Sequence, residues 1–324
     1  MPPKFTDKIE MLVVLDRSQS MWENGIWAPM GKALRSVTHD FQALINFGLI
    51  LFPGEDCSVD YLGRQESACV SPSKPSVAFQ EEDAIAKISA VFNSEANGGT
   101  PPCGGTPTAE TLAVVDNYFK GLNDSGKRYV LLATDGAPNC NPELTSPPCT
   151  CVTDNCGDQP LNCLDDVKTN EAAAALYDGG KGYPVYVLGM GGANSWADQL
   201  DAIAKAGGTE TYTAVDDTSK ITEALEKITS EVVTCEFEVD WENLAEDVNQ
   251  KRKDLVNFYC KVKANDALSD KNIVGFDDGC GSNKGWTWQD ESTVKFCEES
   301  CNKLKKQECT RVAATFGCKS YIIY

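Results

Sequence analysis

The stretch Met11-Leu12-Val13-Val14-Leu15-Asp16-Arg17-Ser18-Gln19-Ser20-Met21-Trp22 decides how the chain is read. Five consecutive apolar residues predict a strand buried on both faces, and the run stops at a carboxylate followed by two hydroxyls at alternate positions. Open α/β sheets bind their ligands at the C-terminal ends of such strands. Ser18 and Ser20 can aim their hydroxyls at the spot that Asp16 faces. Oxygen donors without nitrogen or thiolate suit a hard cation such as Mg²⁺, so the stretch predicts part of an open metal site. Read alone, it fits an Asp nucleophile for phosphoryl transfer equally well.

Two further places along the chain end in the same way. Tyr129-Val130-Leu131-Leu132-Ala133-Thr134-Asp135-Gly136 is another apolar run closing on a carboxylate. The Gly/Pro-rich segment 97–108 feeds a helix expected over 109–122, with Pro107 in its first turn and Thr106 at or near its N-cap. Between these points strands and helices alternate. Helices are expected over about 30–45, 81–92, 165–177, 195–206 and 218–232, and strands over 47–52, 77–79, 184–189 and 211–215. This order predicts an α/β fold with a doubly wound, mostly parallel sheet.

The period changes at Cys235. Phe237, Val239 and Trp241 alternate with acids, and alternation recurs over 256–263, 286–288, 294–296 and 311–318, interrupted by a short helix near 298–306. The chain is therefore expected to hold a domain over 1–233, with cysteine-rich insertions at about 55–75 and 137–163. A smaller cysteine-rich, β-sandwich-like domain is expected over 234–324.

Composition narrows the class. With 48 acidic and 29 basic residues the formal net charge is −19, which disfavours binding to nucleic acid or to an anionic membrane. The single histidine, His39, removes most mixed Cys/His zinc sites, and the spacings within Cys140–Cys163 match no common zinc pattern. Fifteen cysteines in Pro-, Asn- and Asp-rich loops point instead to disulfides formed in an oxidising compartment. Cys57 and Cys69 are expected to close one excursion. An odd count leaves one thiol free, paired between chains or deprived of its partner. The polar opening Met1-Pro2-Pro3-Lys4 carries no targeting signal, so a targeting segment is expected to have been removed.

Together, Asp16-x-Ser18-x-Ser20, Gly104-Gly105-Thr106 and Thr134-Asp135-Gly136 resemble, in order and spacing, the metal-ion-dependent adhesion site of a von Willebrand factor type A domain. The resemblance covers about residues 9–233. It implies that Ser18, Ser20 and Thr106 ligate the cation through hydroxyls while Asp16 and Asp135 act directly or through water, with Thr108 a weaker substitute for Thr106. The implied cofactor is Mg²⁺, with Mn²⁺ or Ca²⁺ as alternatives. The implied partner is a protein or surface ligand that offers a carboxylate. Trp22, Trp27 and Asn139 are expected on the ligand rim, although packing against the first helix would serve the two tryptophans as well.

The style of insertion resembles bacterial surface proteins, including adhesins of gliding bacteria. This implies an extracellular or cell-surface location, in the outer membrane and lipid-anchored in its most specific form, with attachment to a membrane-anchored complex. A secreted scaffold that holds a partner subunit permanently through the same site is the second reading. An Asp-nucleophile phosphohydrolase is the third. It needs a second acid where Ser18 stands, and no histidine lies near any motif, so the expectation is a binding protein and not an enzyme.

Overall fold

The computed structural model describes residues 9–42, 44–54, 68–79, 83–93, 103–122, 126–141, 143–144, 149–152, 162–180, 182–239, 241, 253–262, 266–306, 308–309 and 311–322. They fall into two compact units, one built from Glu10–His39 and Asn46–Ile228, the other from Thr229–Tyr324 with the segments ending at Ile9 and spanning Asp40–Ile45.

The larger unit is organised on a five-stranded, all-parallel sheet. Its strands are β1 (Ile9–Asp16), β2 (Ile45–Phe52), β3 (Arg128–Thr134), β4 (Val185–Met190) and β5 (Thr213–Val215), in the order β2-β1-β3-β4-β5. Every residue of β1 is buried, as an apolar run with no polar alternation requires of a central strand. Leu12 and Val14 enter a core with Leu112, Val115, Phe119, Ala173 and Leu176, while Met11, Val13 and Leu15 are equally buried on the opposite face.

The helices are α1 (Gln19–Glu23), α2 (Trp27–Phe41), α3 (Ala84–Asn93), α4 (Thr108–Lys120), α5 (Asp166–Tyr177), α6 (Ala197–Ala206) and α7 (Ile221–Val232). Two boundaries differ from expectation for a local reason. Helix α2 begins at Trp27 and not at 30, because Pro29 falls in its first turn, where a missing N–H costs no helix hydrogen bond. The strand expected at 77–79 reduces to one antiparallel bridge between Val77 and Leu49.

From β1 the chain moves outward to β2, then returns to the other side of β1 to form β3 and continues to β4 and β5. The direction of winding thus reverses between β1 and β3. A crevice opens at the C-terminal ends of strands flanking such a reversal.

The smaller unit carries two three-stranded sheets. One has the order β6-β10-β9, from β6 (Glu236–Glu238), β9 (Trp286–Trp288) and β10 (Thr293–Phe296). The other has the order β11-β7-β8, from β7 (Val256–Lys261), β8 (Ile273–Val274) and β11 (Arg311–Phe316). The strands of both sheets pair antiparallel. Phe258 of one sheet lies 4.8 Å from the Trp286 ring and 5.6 Å from the Phe296 ring of the other, so the two sheets share an aromatic core. Helix α8 (Glu298–Lys305) adds Leu304 to it.

Disulfides join Cys235 to Cys301, Cys260 to Cys309 and Cys280 to Cys297 in this unit, and Cys149 to Cys163 in the larger one. Cys69 does not close a local excursion with Cys57; it bonds Cys140, 71 residues away. Cys57 lies outside the described residues, as do 55–67 and 153–161 of the two insertions. Among the described residues Cys318 is a free, exposed thiol. No helix among them is long and apolar enough to cross a membrane.

Candidate metal centre

The register of β1 against β3 sets Leu15 opposite Ala133, which brings the next residues, Asp16 and Thr134, to the same level. The Thr134 hydroxyl donates to Asp16 Oδ2 at 2.6 Å, and the Ser18 amide donates to Asp16 Oδ1 at 2.7 Å. Both carboxylate oxygens are therefore held in place at the reversal point of the sheet. Asp135 follows Thr134 directly. Its Oδ1 accepts from the Ser20 hydroxyl at 2.8 Å and its Oδ2 from the Asn24 amide at 3.0 Å. Ser18 Oγ and Ser20 Oγ stand 3.0 Å apart.

The two acids are buried close together, and their titration reflects it. Burial, and then the neighbouring Asp135 charge, raise the Asp16 carboxyl from 3.8 to about 7, against the opposing hydrogen bonds from Thr134 and Ser18. Burial also raises Asp135, with Ser20 and Asn24 pulling the other way. Two like charges out of water form an arrangement that a cation between them would relieve.

Ser18, Ser20, Thr106 and Asp135 line one cavity of about 530 Å³. Thr106 reaches it from the loop before α4. It does not cap that helix: Pro107 occupies the N-cap position and no side chain caps there. Thr108 is buried, and its hydroxyl turns back toward the Thr106 carbonyl at 3.4 Å. Asp16 is fully buried and does not line the cavity; the five predicted residues together offer carboxylate and hydroxyl oxygens, with no imidazole or thiolate among them. This set fits a hard divalent cation that keeps part of its water.

Of the three predicted rim residues, Trp22 on α1 is 55 % exposed. Trp27 is 3 % exposed and sits 5.1 Å from the Phe92 ring, so it is a packing residue of α2 and not part of the rim. Asn139 lines the cavity, but its side chain is engaged: Oδ1 accepts the Thr106 amide at 2.7 Å.

Sequence reasoning missed Asn24 and Trp196. Asn24 stands four residues after Ser20, one helical turn on, and that spacing was a usable signal for a second donor to Asp135. Trp196, in the 3₁₀ turn after β4, lines the cavity without any sequence pattern that marks it.

No family model matches the chain, and no curated protein matches it. Solved structures do. The pilus adhesin SpaC of Lactobacillus rhamnosus GG matches at 15 % identity and a TM-score of 0.51, covering 91 % of this chain and 38 % of its own. Proximal thread matrix protein 1 from the mussel byssus matches at 15 % identity and a TM-score of 0.44, over 72 % of this chain and 50 % of its own. The manganese-loaded TRAP protein of Plasmodium vivax matches at 17 % identity and a TM-score of 0.44, over 68 % of this chain and 72 % of its own. This chain thus spans about half of the mussel protein's length and less of the adhesin's. At these identities the likeness concerns the fold, and the chain has a von Willebrand factor type A-like fold.

Proposed function

We propose that the chain is an adhesion protein that binds a divalent cation of the Mg²⁺ type through Asp16, Ser18, Ser20, Thr106 and Asp135, and uses it to capture a carboxylate on a protein or surface ligand. One observation carries the reading: two buried, interacting carboxylates stand at the reversal point of the sheet, and one of them, Asp135, shares a cavity with Ser18, Ser20 and Thr106. When bound, the cation supplies an electrophilic centre with coordination positions left to water or to an incoming carboxylate.

The protein's own residues position and balance that centre. Thr134 and the Ser18 amide fix the orientation of Asp16, and Ser20 and Asn24 fix that of Asp135. Two carboxylates balance a divalent charge, and the hydroxyls add donors without adding charge. A site so poor in anions accepts a further carboxylate from outside. The disulfides agree with an extracellular or cell-surface setting. The pilus adhesin named above uses a similar fold.

No hydrolytic step is assigned. The second residue after Asp16 is Ser18, whose hydroxyl pairs with Ser20 and cannot act as a general acid near neutral pH.

The test is equilibrium binding of Mn²⁺ followed by electron paramagnetic resonance, with wild type beside Asp16→Asn. Wild type takes up one ion, and Asp16→Asn loses at least about tenfold in affinity. Attachment to carboxylate-bearing surfaces then falls with chelator in wild type. Equal Mn²⁺ uptake by both proteins would rule the site out. Attachment that survives chelator would leave a permanent scaffold as the better reading.

A further inference from the structure

We infer that the Cys69–Cys140 disulfide and the Asn139 side chain are positioning elements of the cation site. They hold the Thr106 loop in its ligating place, so cation uptake depends on the oxidised state of this one cystine. The inference rests on the metal reading above.

The loop 103–106 is gripped from two sides. On one side lies the Asp16–Ser20 segment: the Cys103 amide donates to the Arg17 carbonyl at 2.9 Å, and the Gln19 amide donates to the Gly104 carbonyl at 3.2 Å. On the other side lies the cystine. The Gly105 amide donates to the Ala68 carbonyl at 2.9 Å, and Ala68 is the residue before Cys69. The Thr106 amide donates to Asn139 Oδ1 at 2.7 Å, and Asn139 is the residue before Cys140. The Asn139 amide returns a bond to the Thr106 carbonyl at 3.0 Å. Each half of the cystine thus carries, one residue upstream, the group that tethers one amide of the loop.

The fit is close enough to dictate residue type. A Cβ on Gly105 would meet Cys140 Sγ at 2.6 Å and Asn139 Oδ1 at 2.9 Å. One on Gly104, whose φ is +80°, would meet the Ala68 carbonyl at 2.4 Å. Cys140 itself has a φ of +74°, a left-handed conformation that a residue with a side chain adopts only when its surroundings impose it.

The bond ties the chain around Ala68 to the chain around Asn139, the two segments that hold the amides of Gly105 and Thr106; Cys103, at the start of the loop, is disulfide-bonded as well. Thr106 has no α4 cap to fall back on, because its hydroxyl does not cap that helix. The two insertions, which look like decoration on the fold, therefore complete a cation site whose donors come from elsewhere. Asn139 acts through Thr106, as a positioning residue and not a ligand.

The experiment compares full-length wild type, the Cys69→Ser/Cys140→Ser double variant, Gly105→Ala, Asn139→Ala and Asn139→Asp by two readouts. The first is amide hydrogen exchange of the metal-free proteins. Exchange at Gly105 and Thr106 should accelerate about tenfold in the double variant and in Asn139→Ala, the equivalent of one lost hydrogen bond, while β1 stays protected. Asn139→Asp keeps an acceptor for the Thr106 amide and should restore slow exchange. The second readout is Mn²⁺ affinity, which should fall about tenfold or more in the double variant, Gly105→Ala and Asn139→Ala.

Unchanged exchange at Gly105 and Thr106 would overturn the inference whatever the metal data show. Accelerated exchange with Mn²⁺ affinity intact would overturn it too, since the loop's place would then not matter to the ion. If wild type takes up no Mn²⁺, the proposed function fails, and the contingency of cation uptake on the cystine is refuted with it.

Discussion

Replacing Asp16 by Asn should stabilise the metal-free protein while abolishing its response to metal, and the structure sets the size of the gain. The folded-state carboxyl titrates at about 7 against 3.8 for an ordinary Asp. The folded protein therefore holds this proton more tightly than the unfolded chain does. The stability associated with that proton is complete below about pH 4 and is lost as the pH rises through 7. At about 1.4 kcal/mol per pH unit, the deficit at pH 8 reaches about 4 kcal/mol. An amide in the same place removes the charge but is still desolvated, so roughly half, about 2 kcal/mol, is recovered. Its Nδ2 can donate to the Thr134 hydroxyl oxygen, which sits 2.6 Å from Asp16 Oδ2. A gain of this size raises the melting temperature by about 5 °C in a unit of this length. The assay is thermal unfolding in chelator at pH 8 and pH 5, repeated at pH 8 with saturating Mn²⁺. Asp16→Asn should melt higher at pH 8, match wild type at pH 5 where Asp16 is protonated, and fall below it once Mn²⁺ is added. A variant less stable than wild type in chelator at pH 8, or a gap of the same size at both pH values, would refute the reasoning.

Other consequences are equally direct. Cation binding must displace the Asp16 proton, so Mn²⁺ affinity should rise about tenfold per pH unit below 7 and level off above it, measured by titration in buffers of matched ionic strength. Thr134→Val deletes a hydrogen bond that lowers the Asp16 carboxyl and leaves Oδ2 buried and unpaired. It should cost about 1–3 kcal/mol in denaturant unfolding and shift the metal titration to higher pH. Phe258→Ala opens the shared core between Trp286 and Phe296, and should cost about 3–5 kcal/mol by tryptophan-monitored unfolding. Cys318 should react with a thiol reagent in the native protein, and Cys318→Ser should remove that reactivity.

The parts of the site that could be read from the sequence are those that interrupt a pattern. Asp16 and Asp135 end apolar runs, and a buried strand that stops on a carboxylate is conspicuous whatever the tertiary structure. Ser18, Ser20 and Thr106 are conspicuous because Gly, Pro and hydroxyl residues cluster where a strand or helix begins or ends. Order and alternation then fix a parallel sheet, and a reversal in its winding brings the ends of β1 and β3 together. Trp27 was legible in principle. It lies three residues before Met30 on the stripe continued by Leu34, Val37 and Phe41, and extending the stripe by one step buries it. Pro29 hides that step, because it looks like a stop and is in fact part of a first turn.

The position of Thr106 belongs to another category. It depends on Ala68 and Asn139, which have no pattern of their own, and on a cystine between residues 71 positions apart. Cysteine count and setting indicate an oxidising compartment, but pairing is a property of the folded chain, and loop-closure entropy favours the local pairing of Cys57 with Cys69. The long-range pairing is favoured here by geometry: β2 and β3 both deliver their following segments to the same end of the sheet, flanking the loop before α4. That is also why the sequence motif underdetermines the site. It names five donors, four of which are fixed by the sheet or by α1 close after it, while the fifth stands on a loop whose place is set by two insertions that carry no donor at all.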